Sequence, residues 1–463
     1  MTARRDTEGK ILSTCLSAAG LRPSLNADEP EGSGGAVVPL VALLTGVTVL
    51  EGLDLTLASL AAPALATEWQ LSKSGLTPLL AAALVGMTIG ALVGSWVADR
   101  IGRRPVIIAS VVVFAAGTIA CGFAYRPMVF AALRLASGLG FGAATPSIAA
   151  LMSEWVPRRQ LGKALGVMTI GIPVGGSIGA LATSWLLPHL GWRFCFVGAG
   201  TVCMVFVVLL LRRLPESPVF STGRMVEKAT GHPGIVSGRP EKVGRLGLLF
   251  AAGLRRFNVG LYLAVFASAL AIYASGGWVT VNLTEMGLPL GLALRASAVT
   301  GMAAVVGALG AGWAVARLGS RATMMLAVLL GLAAASMLAL APGRLTRSNL
   351  EIVVVVGLAL FGLFTGGIQP SIYLVAARAY PAEIRSLGLG ASSIMGRAGA
   401  VLSTFLGSAL LALDGLGGFY TGIAVLVVCT GAGVILIDRH LPGSRRHQAH
   451  ALDQTSNHIR IRP

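Results

Sequence analysis

The sequence predicts an all-α polytopic membrane protein with twelve transmembrane helices arranged as two six-helix repeats. Three observations predict it. Hydrophobic residues make up 55% of the 463 and charged residues only 12%, with a mean hydropathy of +0.79; soluble domains carry about 25% charged residues. Glycine, at 61 residues, is about twice its usual share, as in membrane helices that pack closely. Twelve apolar stretches follow one another at 36–65, 75–98, 105–125, 128–152, 161–187, 193–211, 257–280, 292–315, 322–341, 350–376, 386–412 and 417–437. Each is close to the roughly 20 residues a membrane span needs.

In chain order, residues 1–35 read as a cytoplasmic tail. Their run Ile11–Leu21 behind Arg4 and Arg5 weakly resembles a signal peptide, but the twelve spans already give a consistent charge map. Residues 36–214 form the first six-helix half. Residues 215–256 form a central cytoplasmic loop, polar over Pro215–Val243, with a short interfacial helix expected over Leu246–Leu254 before Arg255 and Arg256. Residues 257–437 form the second half, and 438–463 a polar cytoplasmic tail.

The net charge is 36 − 19 = +17. Its distribution carries the meaning. The even-numbered loops between spans hold nineteen Lys and Arg, among them Arg100, Arg103, Arg104, Arg158 and Arg159, and the odd-numbered loops six. Positive residues stay on the cytoplasmic side, so both termini are expected there. The basic character is topology, and a nucleic-acid partner is excluded. Five cysteines without a CxxC pair imply neither a disulfide framework nor a metal site.

The two halves repeat. Ser95–Arg104 after span 2 corresponds to Gly312–Arg321 after span 8 at an offset of 217, where Ala316 replaces the Asp. Spans 4 and 10 match at an offset of 224: Gly138 with Gly362, Gly142 with Gly366, Pro146-Ser147-Ile148 with Pro370-Ser371-Ile372. Parallel six-helix repeats point to a transporter with its site between the halves.

Several segments resemble known signatures. Gly94–Pro105, GSWVADRIGRRP, resembles the loop signature of the major facilitator superfamily, and Arg134–Gly142, RLASGLGFG, its span-4 signature. Leu214–Phe220, LPESPVF, resembles the motif that ends span 6 in its sugar, organic-ion and aromatic-acid branches. Glu51–Leu65, EGLDLTLASLAAPAL, and Gly396–Ala400, GRAGA, resemble features of the aromatic acid:proton symporters. The resemblance implies alternating-access symport of an aromatic acid with protons, in a bacterial cytoplasmic membrane. Two residues depart from the branch: Glu51 stands where it has Asp, and Ser59 where it has Gly. A substrate preference different from the typical member is therefore expected.

An ionisable side chain deep in the membrane is costly and marks function by default. Glu51 and Asp54 in span 1, Arg134 in span 4 and Arg397 in span 11 are such residues, and no His lies within a span. Glu51 and Asp54 are three apart and share a helix face. Two such carboxylates titrate as a pair, which suits proton carriage. Arg134 is expected to neutralise one of them. The planar fork of Arg397 is the expected anchor for a substrate carboxylate. Gln369, Tyr273, Trp278, Phe364 and Tyr373 are the further candidates around a substrate ring. Asp99, Arg100, Arg103 and Arg104, with Glu154, Arg158 and Glu216, are expected to form a cytoplasmic charge lock that holds the outward-facing state. Glu383 and Arg385 are its expected counterpart in the second half.

The resulting expectation is a monomeric proton-coupled importer of an organic, aromatic carboxylate. Its partners are that anion, protons as the coupling ion and the lipid bilayer, with no cofactor and no metal. A transporter of another metabolite, a drug exporter and a membrane-embedded ligand sensor stay open as alternatives. Enzyme chemistry lacks residues: there is no HExxH and no P-loop.

Overall fold

A computed structural model describes residues 34–218, 220, 252–341, 346–381 and 384–442, with the backbone alone at 34–36, 158, 252, 347, 386 and 413–416. These residues are helical almost throughout. The helices are α1 (Gly34–Trp69), α2 (Lys73–Ile101), α3 (Arg103–Cys121), α4 (Pro127–Trp155) and α5 (Arg158–Arg213) in the first half. In the second they are α6 (Ala252–Glu285), α7 (Leu290–Leu318), α8 (Ser320–Leu340), α9 (Arg347–Ala379) and α10 (Arg385–Leu436). The expected tails and most of the central loop lie outside the described residues. Of the expected interfacial helix only Ala252–Leu254 are described, and they open α6.

Eleven helical segments among the described residues are long and apolar enough to cross a membrane, so the chain is a multi-pass membrane protein. One of them, Arg159–Arg213, has 55 residues. At 1.5 Å per residue it is far longer than a bilayer core of about 30 Å. It is broken at Gly191, whose φ of 78° and ψ of 169° leave the helical region; glycine adopts that backbone without a steric penalty. Helix α10 carries two apolar segments in series, Leu387–Ala412 and Gly417–Leu436.

The repeat is visible in the backbone. α2 and α7 are both 29 residues long and start 290 − 73 = 217 residues apart. Each ends on a glycine with positive φ, Gly102 at 104° and Gly319 at 88°, which turns the chain sharply into the next helix. Packing repeats too: α1 lies on α5 and α2 on α4, as α6 lies on α10 and α7 on α9. Between the halves α1 meets α6, α2 meets α10 and α5 meets α7, a pattern with the symmetry of the repeat.

Small residues allow these approaches. A Cβ on Gly138 or Gly142 of α4 would strike the main chain of α2 at Ala83 or Met87, and one on Gly366 of α9 that of α7 at Ala304. In the Gly171–Ala180 run of α5, a Cβ on Gly175 would strike α1 at Val49. That run is a packing surface.

Candidate transport site

α1 carries two carboxylates, and each has its own partners. Asp54 is fully buried, and Arg134 of α4, 1% exposed, donates to its Oδ2 at 2.6 Å and to its main-chain carbonyl at 3.2 Å. Thr118 of α3 donates to the other carboxylate oxygen at 2.5 Å. The expected neutralisation by Arg134 therefore falls on Asp54, and it ties three helices of the first half together. Glu51 is 3% exposed. The Thr145 hydroxyl of α4 lies 3.1 and 3.2 Å from its two carboxylate oxygens. Among the described residues no ion pair reaches Glu51. The two acids share a helix face, as their spacing requires, but they do not share a partner.

Arg397 approaches from the second half. It is partly buried and donates from Nη1 to the main-chain carbonyl of Met87 on α2 at 2.9 Å. It lies within electrostatic reach of Glu51, Tyr273 and Tyr373. Tyr273, with Ala400 and Val401, packs against the core of the first half, and the Tyr373 hydroxyl lies beside Gly396. Glu51 of α1, Tyr273 of α6, Tyr373 of α9 and Arg397 of α10 thus share one electrostatic neighbourhood at the boundary between the halves. Gln369 of α9 donates to the Ser268 hydroxyl of α6 at 3.1 Å, within the second half.

Two of the aromatic candidates lie elsewhere. Trp278 is fully buried, its indole N–H donates to the Thr404 carbonyl at 3.2 Å, and its ring fills the space over Gly407. Phe364 is fully buried against Phe361 and Gly331. Both rings are committed to the packing of the second half.

The expected lock residues cluster at the arginine-rich end of the bundle. Glu216 Oε1 accepts from the main-chain N–H groups of Arg103 and Arg104 at 3.1 and 3.2 Å. It caps the N-terminus of α3, where free amides favour an anion. Arg103 sits 3.4 Å from both Asp99 and Glu154, and Glu154 accepts from Ser217. Arg104 donates to the Leu211 carbonyl at 2.8 Å, while Arg100 is exposed and stacks on Trp96. These bonds run between elements of the first half, so the cluster braces α2, α3, α4 and the end of α5 against one another. The Arg158 side chain and Glu383 lie outside the described residues. Arg385 donates to the Tyr380 carbonyl at 3.4 Å, within the second half.

The halves are fastened at the opposite end. Lys73 of α2 pairs with Glu285 of α6 at 2.9 Å and reaches the Leu411 carbonyl of α10 at 3.5 Å. Thr280 donates to the Ser59 carbonyl at 2.8 Å. One apolar core runs across this end, from Leu57, Leu65 and Leu76 to Val279, Leu283 and Leu288. At the arginine-rich end the first half keeps a separate core, built on Leu44, Ile107, Met152 and Leu210. These contacts had no signal in the sequence beyond single polar residues near span ends. Thr118 and Thr145 had none beyond being hydroxyls inside apolar helices.

The family profile for the Major Facilitator Superfamily matches residues 44–347 and 261–459. The chain belongs to the Major Facilitator Superfamily. It is 32% identical over 397 residues to a gallate transporter of Pseudomonas putida, covering 80% of this chain and 84% of that one. It is 32% identical to a gentisate transporter of Corynebacterium glutamicum, covering 81% of each. It is 31% identical to a 3-(3-hydroxy-phenyl)propionate transporter of Escherichia coli, covering 88% and 94%. Among solved structures, a D-xylose-proton symporter superposes with a TM-score of 0.69 at 20% identity, covering 87% of this chain and 97% of that one, a likeness of fold alone. This member of the superfamily is a transport protein and not an enzyme.

Proposed function

We propose that the protein is a proton-coupled symporter that imports an aromatic carboxylate by alternating access. The observation that carries this reading is Arg397, held on the Met87 carbonyl of the other half within electrostatic reach of Glu51, in a chain about 30% identical to transporters named for gallate and gentisate. The guanidinium fork of Arg397 binds the substrate carboxylate, and Tyr273 and Tyr373 lie beside the ring. Glu51 carries the proton. A proton on Asp54 would have to displace the Arg134 bridge, whereas a proton on Glu51 displaces only a hydroxyl contact. One proton then accompanies one monoanion, and no net charge crosses.

Twelve spans follow when α5 is divided at Gly191 and α10 between its two apolar segments. The arginine-rich end faces the cytoplasm of a bacterial inner membrane, with both termini there. In that orientation the Lys73–Glu285 end closes the site from outside. Proton and anion each act by binding the two states unequally. The protein works as a monomer without a cofactor.

The test is uptake of radiolabelled gallate and gentisate into proteoliposomes under an imposed pH gradient, with binding followed in parallel. Binding with no flux of any aromatic acid in either direction would make the protein a sensor on a transporter fold.

A further inference from the structure

Thr145 belongs to no signature in the sequence, yet it is the hydroxyl that holds Glu51. It sits on α4 directly before Pro146, which has no N–H to give to the Gly142 carbonyl. The turn that carries it is therefore locally adaptable. Its Oγ1 has two acceptors in reach, the Glu51 carboxylate at 3.1 Å and the Phe141 carbonyl at 3.4 Å. The same turn presses on α2: a Cβ on Gly142 would strike the Met87 carbonyl, the group to which Arg397 donates. Glu51, Thr145, the Gly142–Met87 contact and Arg397 are thus consecutive contacts between α1, α4, α2 and α10.

We infer that Thr145 is a positioning residue that holds the Glu51 carboxylate and couples its protonation to the Arg397 anchor through the Gly142–Met87 contact. This rests on the proposed role of Glu51 as proton carrier. The ionised carboxylate takes the Thr145 O–H as a donor. When Glu51 receives a proton from water in the open cavity, its charge is cancelled and the Thr145 hydroxyl is released to the Phe141 carbonyl. No covalent bond other than O–H is made or broken. Glu51 is one methylene longer than Asp, and that extra length extends its carboxylate towards α4. Glu51 and Thr145 therefore act as a unit in this chain.

The experiment compares full-length wild type with Thr145→Val, Thr145→Ser and Glu51→Gln in liposomes. The first readout is the part of the infrared carboxylate band that is lost on acidification in wild type and missing in Glu51→Gln, which needs no substrate. The second is net uptake of radiolabelled gentisate driven by a pH gradient, against gentisate exchange at equal pH on both sides. Thr145→Val is expected to shift the carboxylate band and to lower net uptake at least about tenfold, the worth of a hydrogen bond to a charged group. Exchange is expected to stay within about twofold of wild type, since it needs no proton release. Thr145→Ser should restore both band and uptake. An unshifted band in Thr145→Val overturns the inference, as does parallel loss of uptake and exchange that Ser does not rescue. If Glu51→Gln removes no part of the titrating band and keeps full gradient-driven uptake, the proton assignment itself falls, and the inference with it.

Discussion

Arg397 on α10 donates to the main-chain carbonyl of Met87 on α2 at 2.9 Å, so the candidate anion anchor of one half is held by the backbone of the other. A substrate carboxylate is a stronger acceptor than a neutral carbonyl and would take over that donor. Binding of substrate and loosening of the α2–α10 contact are then the same event. Replacing Arg397 by Lys keeps the charge and loses the fork, and Ala loses both. Affinity for an aromatic acid, measured by titration calorimetry, should fall about 10- to 150-fold, with Ala below Lys. Unchanged affinity in both variants would leave Arg397 as a bolt between the halves.

The Asp54–Arg134 pair is a different object from Glu51. Both of its groups are buried, and removing one strands the other. Arg134→Gln or Asp54→Ala should each cost about 3–5 kcal/mol, seen as a lowered Tm in detergent. The double variant Asp54→Asn, Arg134→Gln should recover most of that loss, because no buried charge remains. A double variant no more stable than the singles would contradict the pairing.

Lys73 and Glu285 are 34% and 42% exposed, so their bridge is worth at most about 1 kcal/mol. That changes a two-state ratio about fivefold. Glu285→Lys should raise the accessibility to thiol reagents of a cysteine placed at Ser59, by exposing the end where the halves are fastened. The reversal Lys73→Glu, Glu285→Lys should return it towards wild type. Equal labelling in all three would mean that the apolar core around Leu57 and Leu283 alone holds this end.

Phe364 and Tyr373 lie on the same helix and should separate cleanly. Phe364→Ala opens a cavity in the second half and should cost about 3–5 kcal/mol of stability without altering the affinity of the folded protein. Tyr373→Phe should leave Tm nearly unchanged and alter affinity for hydroxylated aromatic acids. Paired thermal melts and binding isotherms check both. The reverse pattern would move the site from Tyr373 towards the α8–α9 packing.

The architecture was legible because spans are long and apolar and the halves repeat in register: Gly102 and Gly319 mark the same turn at the offset read from sequence. Charged residues within spans pointed at Asp54, Arg134, Glu51 and Arg397 for the same reason, since burial makes each one costly. What remained hidden was pairing. Spacing puts Glu51 and Asp54 on one face, but only the positions of α3 and α4 decide that Thr118 and Arg134 take Asp54 while Thr145 takes Glu51. Trp278 and Phe364 were candidates because an aromatic ring in a membrane helix reads alike whether it packs or binds. The Glu216 cap on α3 was hidden for a similar reason: its acceptors' partners are main-chain amides, which no residue type announces.

Uptake of radiolabelled gentisate into proteoliposomes with an alkaline interior and the membrane potential clamped at zero separates proton coupling from every rival. One proton moving with one monoanion makes the pH gradient sufficient, so gentisate should accumulate above its external concentration in wild type. Glu51→Gln should only equilibrate it. Wild-type accumulation that requires a membrane potential and ignores the pH gradient, or full accumulation by Glu51→Gln, would contradict Glu51 as the proton carrier of an electroneutral symporter.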